Sequence, residues 1–171
     1  MTTILDLHPT DSDEIQQVAE FLVDAFKGAA PSWCPTVDAA LAEVLENFED
    51  GRISLIAVDQ ARMVVGWIGG RPDFAKVWEL HPLVVRPSHQ RQGIGRALIF
   101  ALEERVRERG AITLRLGTDD ELNQTSLSGI DLYDPDPWTH IVNITNLAQH
   151  PYEFYQKCGY TIVGVTPDAN G

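Results

Sequence analysis

The stretch Leu83-Val84-Val85-Arg86-Pro87-Ser88-His89-Gln90-Arg91-Gln92-Gly93-Ile94-Gly95-Arg96-Ala97-Leu98-Ile99 decides how the rest of the chain is read. It begins as an apolar, β-branched run, and Pro87 cannot donate to a ladder, so a strand predicted over residues 77–85 ends there. Gly93 and Gly95 then open a helix over residues 95–109, with Leu98, Ile99, Leu102 and Val106 on one face and Gly110 as its stop. Glycine lets a ligand approach the main chain closely, and the first N–H groups of a helix lack intrahelical acceptors and carry partial positive charge. Arg91 and Arg96 add formal charge. The turn is therefore a seat for a phosphate or pyrophosphate. It lacks the third glycine of the dinucleotide-binding turn and the Gly-Lys-Ser/Thr ending of a P-loop.

Upstream, residues 4–7 suggest a short strand, and Asp11 followed by Glu14 reads as a reciprocal helix cap. Ile15, Val18, Leu22, Val23 and Phe26 recur at helical spacing, which predicts a helix over residues 12–27. A loop over residues 28–35 holds Trp33 and Cys34, and Thr36 can cap a second helix with Leu41, Val44, Leu45 and Phe48 on its face. Residues 53–58 and 63–69 are β-rich runs joined as a hairpin by Asp59-Gln60-Ala61-Arg62, and residues 71–76 read as a turn. Downstream, a strand is predicted over residues 111–116, a short helix over 151–158 and a last strand over 160–165. Between them, residues 117–150 are polar, rich in aspartate and irregular, and long irregular segments are often functional. Together these elements predict a single domain over residues 1–171, with one mixed α/β sheet and helices on both faces.

Bulk properties narrow the function classes. Twenty-five Asp and Glu against thirteen Lys and Arg leave a formal net charge of -12. Such a surface repels nucleic acid and anionic membranes, whose binding relies on basic patches, and attracts cationic partners. No apolar run approaches the roughly 20 residues that span a bilayer, and the N-terminus has no secretory signal pattern. Cys34 and Cys158 make no disulfide framework, which points to a reducing cytoplasm. The five histidines show no metal-ligand spacing, so no metal is expected.

Gln90-x-x-Gly93-x-Gly95, preceded by Leu83-Val84-Val85-Arg86-Pro87 and followed by Ala97-Leu98-Ile99, resembles the acetyl-CoA-binding signature of the GNAT superfamily of N-acetyltransferases. Three segments then resemble the aminoglycoside 6'-N-acetyltransferases, a homodimeric branch: Trp78-Glu79-Leu80-His81-Pro82, Leu116-Gly117-Thr118-Asp119-Asp120, and His150-Pro151-Tyr152-Glu153-Phe154-Tyr155 onward to Val165. Pro167-Asp168-Ala169-Asn170-Gly171 resembles a segment that continues, in that family, into one more strand. The resemblance implies a mostly antiparallel central sheet, acetyl-CoA as co-substrate, a cationic aminosugar as acceptor and a homodimer. It also implies cofactor contacts from Leu83, Val84, Val85, Gln90, Arg91, Gln92, Gly93, Ile94, Gly95 and Arg96. A bulge near Leu83 would offer a main-chain N–H to the thioester carbonyl.

Acetyl transfer to an amine needs a base, because an aliphatic amine is largely ammonium at neutral pH. Glu79, in an otherwise apolar strand, is the candidate base or else a carboxylate on a strand's exposed face. His81 falls on the same face two residues on, as a partner in that role or as a structural histidine. Tyr155 matches the family's general acid toward the leaving thiolate; otherwise it packs. Asp119, Asp120, Glu121, Asp131, Asp134 and Asp136 form an acidic belt. Within it Asp119, Asp120 and Asp136, with Glu79 and Trp33 elsewhere, are the candidate acceptor contacts, and Trp33 either stacks on a sugar or anchors its loop. The alternatives in function are another cationic acceptor, such as a polyamine or a protein lysine, and a non-catalytic acyl-CoA-binding module.

Overall fold

The computed structural model describes residues 2–27, 33–133 and 135–169. Most of the loop predicted at residues 28–35, together with Asp134, Asn170 and Gly171, lies outside the described residues. The chain divides into two compact units, Met1–Leu116 and Gly117–Gly171.

The first unit is built on a five-stranded sheet ordered β1 (Thr3–Asp6), β2 (Ile53–Val58), β3 (Val64–Phe74), β4 (Val77–Val85), β5 (Thr113–Arg115). All neighbours are antiparallel except β4 and β5. α1 (Ser12–Phe26) and α2 (Val37–Glu46) cover one face, where Val18, Phe21, Leu22 and Val44 pack with Ile56, Trp67 and Val84. Trp67 is fully buried, and its indole N–H is satisfied by Ser54 Oγ at 2.8 Å. α3 (Ile94–Glu108) covers the opposite face with Leu98 and Leu102, over glycines of β3. The expected mixed, mostly antiparallel sheet with helices on both faces is thus present.

Thr36 caps α2 as expected, its hydroxyl accepting from Ala39 N–H at 3.2 Å. Asp11 does not act as a reciprocal cap: its carboxylate turns back to accept from His8 N–H at 2.8 Å and makes no cap bond to α1. Residues 71–76 are also not a turn. β3 continues through Arg71, Pro72 and Asp73 to Phe74 and pairs with β4, reversing only at residues 75–76. Pro72 is tolerated there because β2 pairs with β3 no further than Gly70, so the strand has an open flank at that point.

In the second unit, α4 (Pro137–Val142) and α5 (Tyr152–Lys157) are joined by loops. Residues 160–165 carry no strand, against expectation. An extended apolar segment becomes a strand only when a neighbour completes its ladder. Among the described residues of this unit the one bridge, Thr125 to Asn146, lies elsewhere.

Candidate active site

β4 alternates strictly between half-buried and buried residues. Its pairing with β3 slips between Ile68 and Gly70: Ile68 faces Leu83, whereas Gly70 faces Leu80. Three steps along β4 match two along β3, so the extra residue bulges at His81-Pro82, where proline has no N–H to donate. The expected interruption beside Leu83 is therefore present. On its other edge β4 pairs with β5 only from Val77 to Glu79. Beyond Glu79, the main chain of Leu80 to Val85 has no strand partner on that side among the described residues.

β4 leads into the turn. Arg86 anchors it, with Nε donating to Val64 O at 3.0 Å and the guanidinium lying over Phe21. Gln90 reaches back to Val85 O at 3.1 Å, and Gln92 to Ser88 O at 3.3 Å, which folds residues 87–92 into a compact loop. Gly93 takes φ +84° as the N-cap of α3, a conformation that favours glycine. The cap residue has no side chain to offer, and the first turn of α3 contains no acid. The leading N–H groups thus keep a partial positive charge that no side-chain cap offsets. These residues fit a diphosphate group, whose oxygens accept from such N–H groups.

On the α1/α2 side of β4 stand the two candidate catalytic groups. His81 brings Nε2 to 3.4 Å from Glu43 Oε1 of α2, and its ring meets Trp33 edge-on at 5.8 Å. Trp33 also packs against Phe26 at 4.5 Å, so the early-loop tryptophan is anchored and lies beside the histidine. Glu79 accepts from Arg71 Nε at 2.8 Å, with Arg115 a further 3.8 Å contact. The strand is apolar in sequence, yet the carboxylate is an ion-pair member. Arg71 and Glu43 carried no sequence signal of their own, since one depends on hairpin register and the other on helix docking.

In the second unit, Tyr155 lies on α5 against Phe154 and Tyr160. Burial of its hydroxyl pushes the phenol up to about 12, with Cys158 adding to the rise. Asp120 organises its own loop, accepting from Gln124 N–H at 2.5 Å, Thr125 N–H at 2.9 Å and Thr125 Oγ1 at 2.7 Å. Burial alone would raise its carboxyl, but these donors outweigh that and hold it below the ordinary value. Asp136 caps α4 through Thr139, whose hydroxyl and N–H hold its carboxyl low. Asp119 is exposed, and its main-chain oxygen meets His150 Nε2 at 3.0 Å. Tyr152 N–H donates to His150 Nδ1 at 3.3 Å, so this buried histidine staples the loop. No group of His, Cys, Asp and Glu among the described residues can hold a metal ion.

The bulged strand, glycine turn and helix-borne seat are the parts of an acyl-CoA-dependent transferase, and the chain belongs to the acetyltransferase (GNAT) family, whose model matches residues 15–133. It is an acetyl-CoA-dependent N-acetyltransferase. Among solved structures it is similar to an aminoglycoside 6'-N-acetyltransferase complexed with coenzyme A, at 40% identity and TM-score 0.89, over 99% of this chain and 90% of that one. It is also similar to the aminoglycoside 6'-N-acetyltransferase from Enterococcus faecium, at 39% identity and TM-score 0.86, over the same shares. A third, aminoglycoside 6'-acetyltransferase type Ii, matches at 35% identity and TM-score 0.73, over 99% of this chain and 89% of that one. No curated protein sequence matches the chain significantly.

Proposed function

We propose that this protein acetylates the 6'-amine of aminoglycosides, by direct attack of the amine on acetyl-CoA in a ternary complex. The observation that carries this reading is 35–40% identity over 99% of the chain to proteins of that activity. Acetyl-CoA supplies the activated acyl group. Residues 90–96 and the open edge of β4 at Leu83, Val84 and Val85 hold it, and Leu83 N–H stabilises charge developing on the carbonyl oxygen. Glu79 accepts the proton of the acceptor ammonium, with His81 beside it. Tyr155, protonated at neutral pH, donates toward the departing sulfur. In the first unit Trp33 is the proposed acceptor contact; in the second it is exposed Asp119, while Asp120 and Asp136 shape the loop through the bonds described above. The enzyme acts in the cytoplasm as a homodimer.

The test is thiol release from acetyl-CoA with an aminoglycoside panel and with spermidine. Release with 6'-amino aminoglycosides, and little with their 6'-hydroxy counterparts, is expected. Spermidine outperforming every aminoglycoside would replace the acceptor assignment with a polyamine one, and no release with any of these amines would overturn the aminoglycoside assignment. Glu79→Ala should lower kcat about 100-fold or more while leaving acetyl-CoA affinity near the parent value. Parent-like turnover would remove Glu79 as the base.

A further inference from the structure

Glu79 is approached by two arginines of unequal availability. Arg115, its neighbour in β5, is bound to Asp73 through Nε at 2.7 Å and reaches Glu79 only at 3.8 Å. Arg71, directly across the ladder in β3, makes one ion pair among the described residues, and that pair is with Glu79 at 2.8 Å. The Arg71 side chain is 34% exposed and that of Glu79 16%. The arginine can therefore swing into water at small cost, while the carboxylate needs a cation or donor wherever the arginine goes.

An acceptor amine arrives as an ammonium and seeks the carboxylate charge that the Arg71 guanidinium already offsets through Oε2. We propose that Arg71 is a stand-in cation for the acceptor: it orients Glu79 until the amine binds and is then exchanged for the acceptor ammonium. Arg71 thereby sets the affinity for the amine. The exchange keeps the half-buried carboxylate paired throughout. It also disfavours neutral acceptors, which cannot replace a charge with a charge. This rests on Glu79 being the group that receives the acceptor amine.

The test is a double-mutant cycle read by isothermal titration calorimetry with neamine, an aminosugar bearing a 6'-amine, and separately with coenzyme A. Arg71→Gln should tighten neamine binding about threefold to fivefold, the size of one partly exposed ion pair. Coenzyme A affinity should not change, and Arg71→Lys should bind neamine as the parent does. In a Glu79→Gln background, Arg71→Gln should have no effect on neamine. Unchanged or weaker neamine binding in Arg71→Gln overturns the proposal, as does equal tightening in the Glu79→Gln background, which would mark a general charge effect. Arg71→Met, which keeps the apolar stem, decides the matter if the glutamine variant does not fold. If Glu79→Gln itself leaves both turnover and neamine affinity at parent values, the role of Glu79 fails independently of Arg71.

Discussion

Tyr155 and Asp120 are two different acids tuned in opposite directions by their surroundings. The Tyr155 phenol, pushed up to about 12 by burial, stays protonated across the physiological range and remains a proton donor. Its linkage with stability follows from the sign: the folded value lies above the unfolded one, so stability is fully present below about pH 10 and is lost as pH rises toward 12. Tyr155→Phe should remove this alkaline loss in a denaturant titration series. It should also lower kcat without raising the acetyl-CoA KM, and an unchanged kcat would dismiss the general acid. Asp120 is held low by amide and hydroxyl donors, so its contribution is present above the unfolded value of about 4 and is lost as pH falls through the folded one. Asp120→Asn should flatten that part of the acid unfolding curve, checked by circular dichroism between neutral pH and pH 2.

The β3–β4 hairpin is the element on which the candidate site depends, and it is only half legible in the sequence. Leu83-Val84-Val85 followed by Pro87 marked the end of β4, and the two glycines marked the start of α3, because a strand stop and a helix start are local chemistry. Arg71-Pro72-Asp73 looked like a turn for an equally local reason, yet tertiary pairing overrode it and extended β3 to Phe74. In a turn Arg71 would have no partner across the ladder, and its position opposite Glu79 exists only in the extended register. The bulge itself constrains Gly69. A Cβ there would come under 3.0 Å from His81 O and from Asn47 Oδ1, and a main-chain carbonyl cannot move aside cheaply. Gly69→Ala should cost about 1–3 kcal/mol, measured by urea denaturation. It should also lower kcat by displacing His81, whereas Gly110→Ala, in open space at the end of α3 but strained at φ +82°, should lower stability and leave kcat unchanged.

A net charge of -12 acts over the full surface and favours encounter with a polycation. Raising ionic strength from about 0.01 M to 0.15 M shortens the screening length from about 30 Å to 8 Å. The kcat/KM for a polycationic aminoglycoside should fall over that range, and fall less for a monoamine acceptor. Equal salt dependence for both would show that only local contacts attract the acceptor. The acidic belt read from residues 117–150 contributes to this field, but Asp120 and Asp136 spend their oxygens on their own loops. No helix among the described residues is long and apolar enough to cross a membrane.

The order of residue types along the chain was enough for the class of fold and for the strand end and helix start that flank Gln90 to Gly95, whereas Glu79, His81 and Tyr155 became candidates mainly through the family resemblance. Periodicity, glycine and proline act within a few residues and leave their mark there. What surrounds those candidates was settled by long-range packing. The ion pair of Arg71 with Glu79, the Glu43 and Trp33 contacts of His81, and the absence of a ladder at residues 160–165 each depend on which distant segment lies alongside. Hydrogen-bond ladders and ion pairs are properties of two partners in space, and one partner's sequence does not contain the other's position.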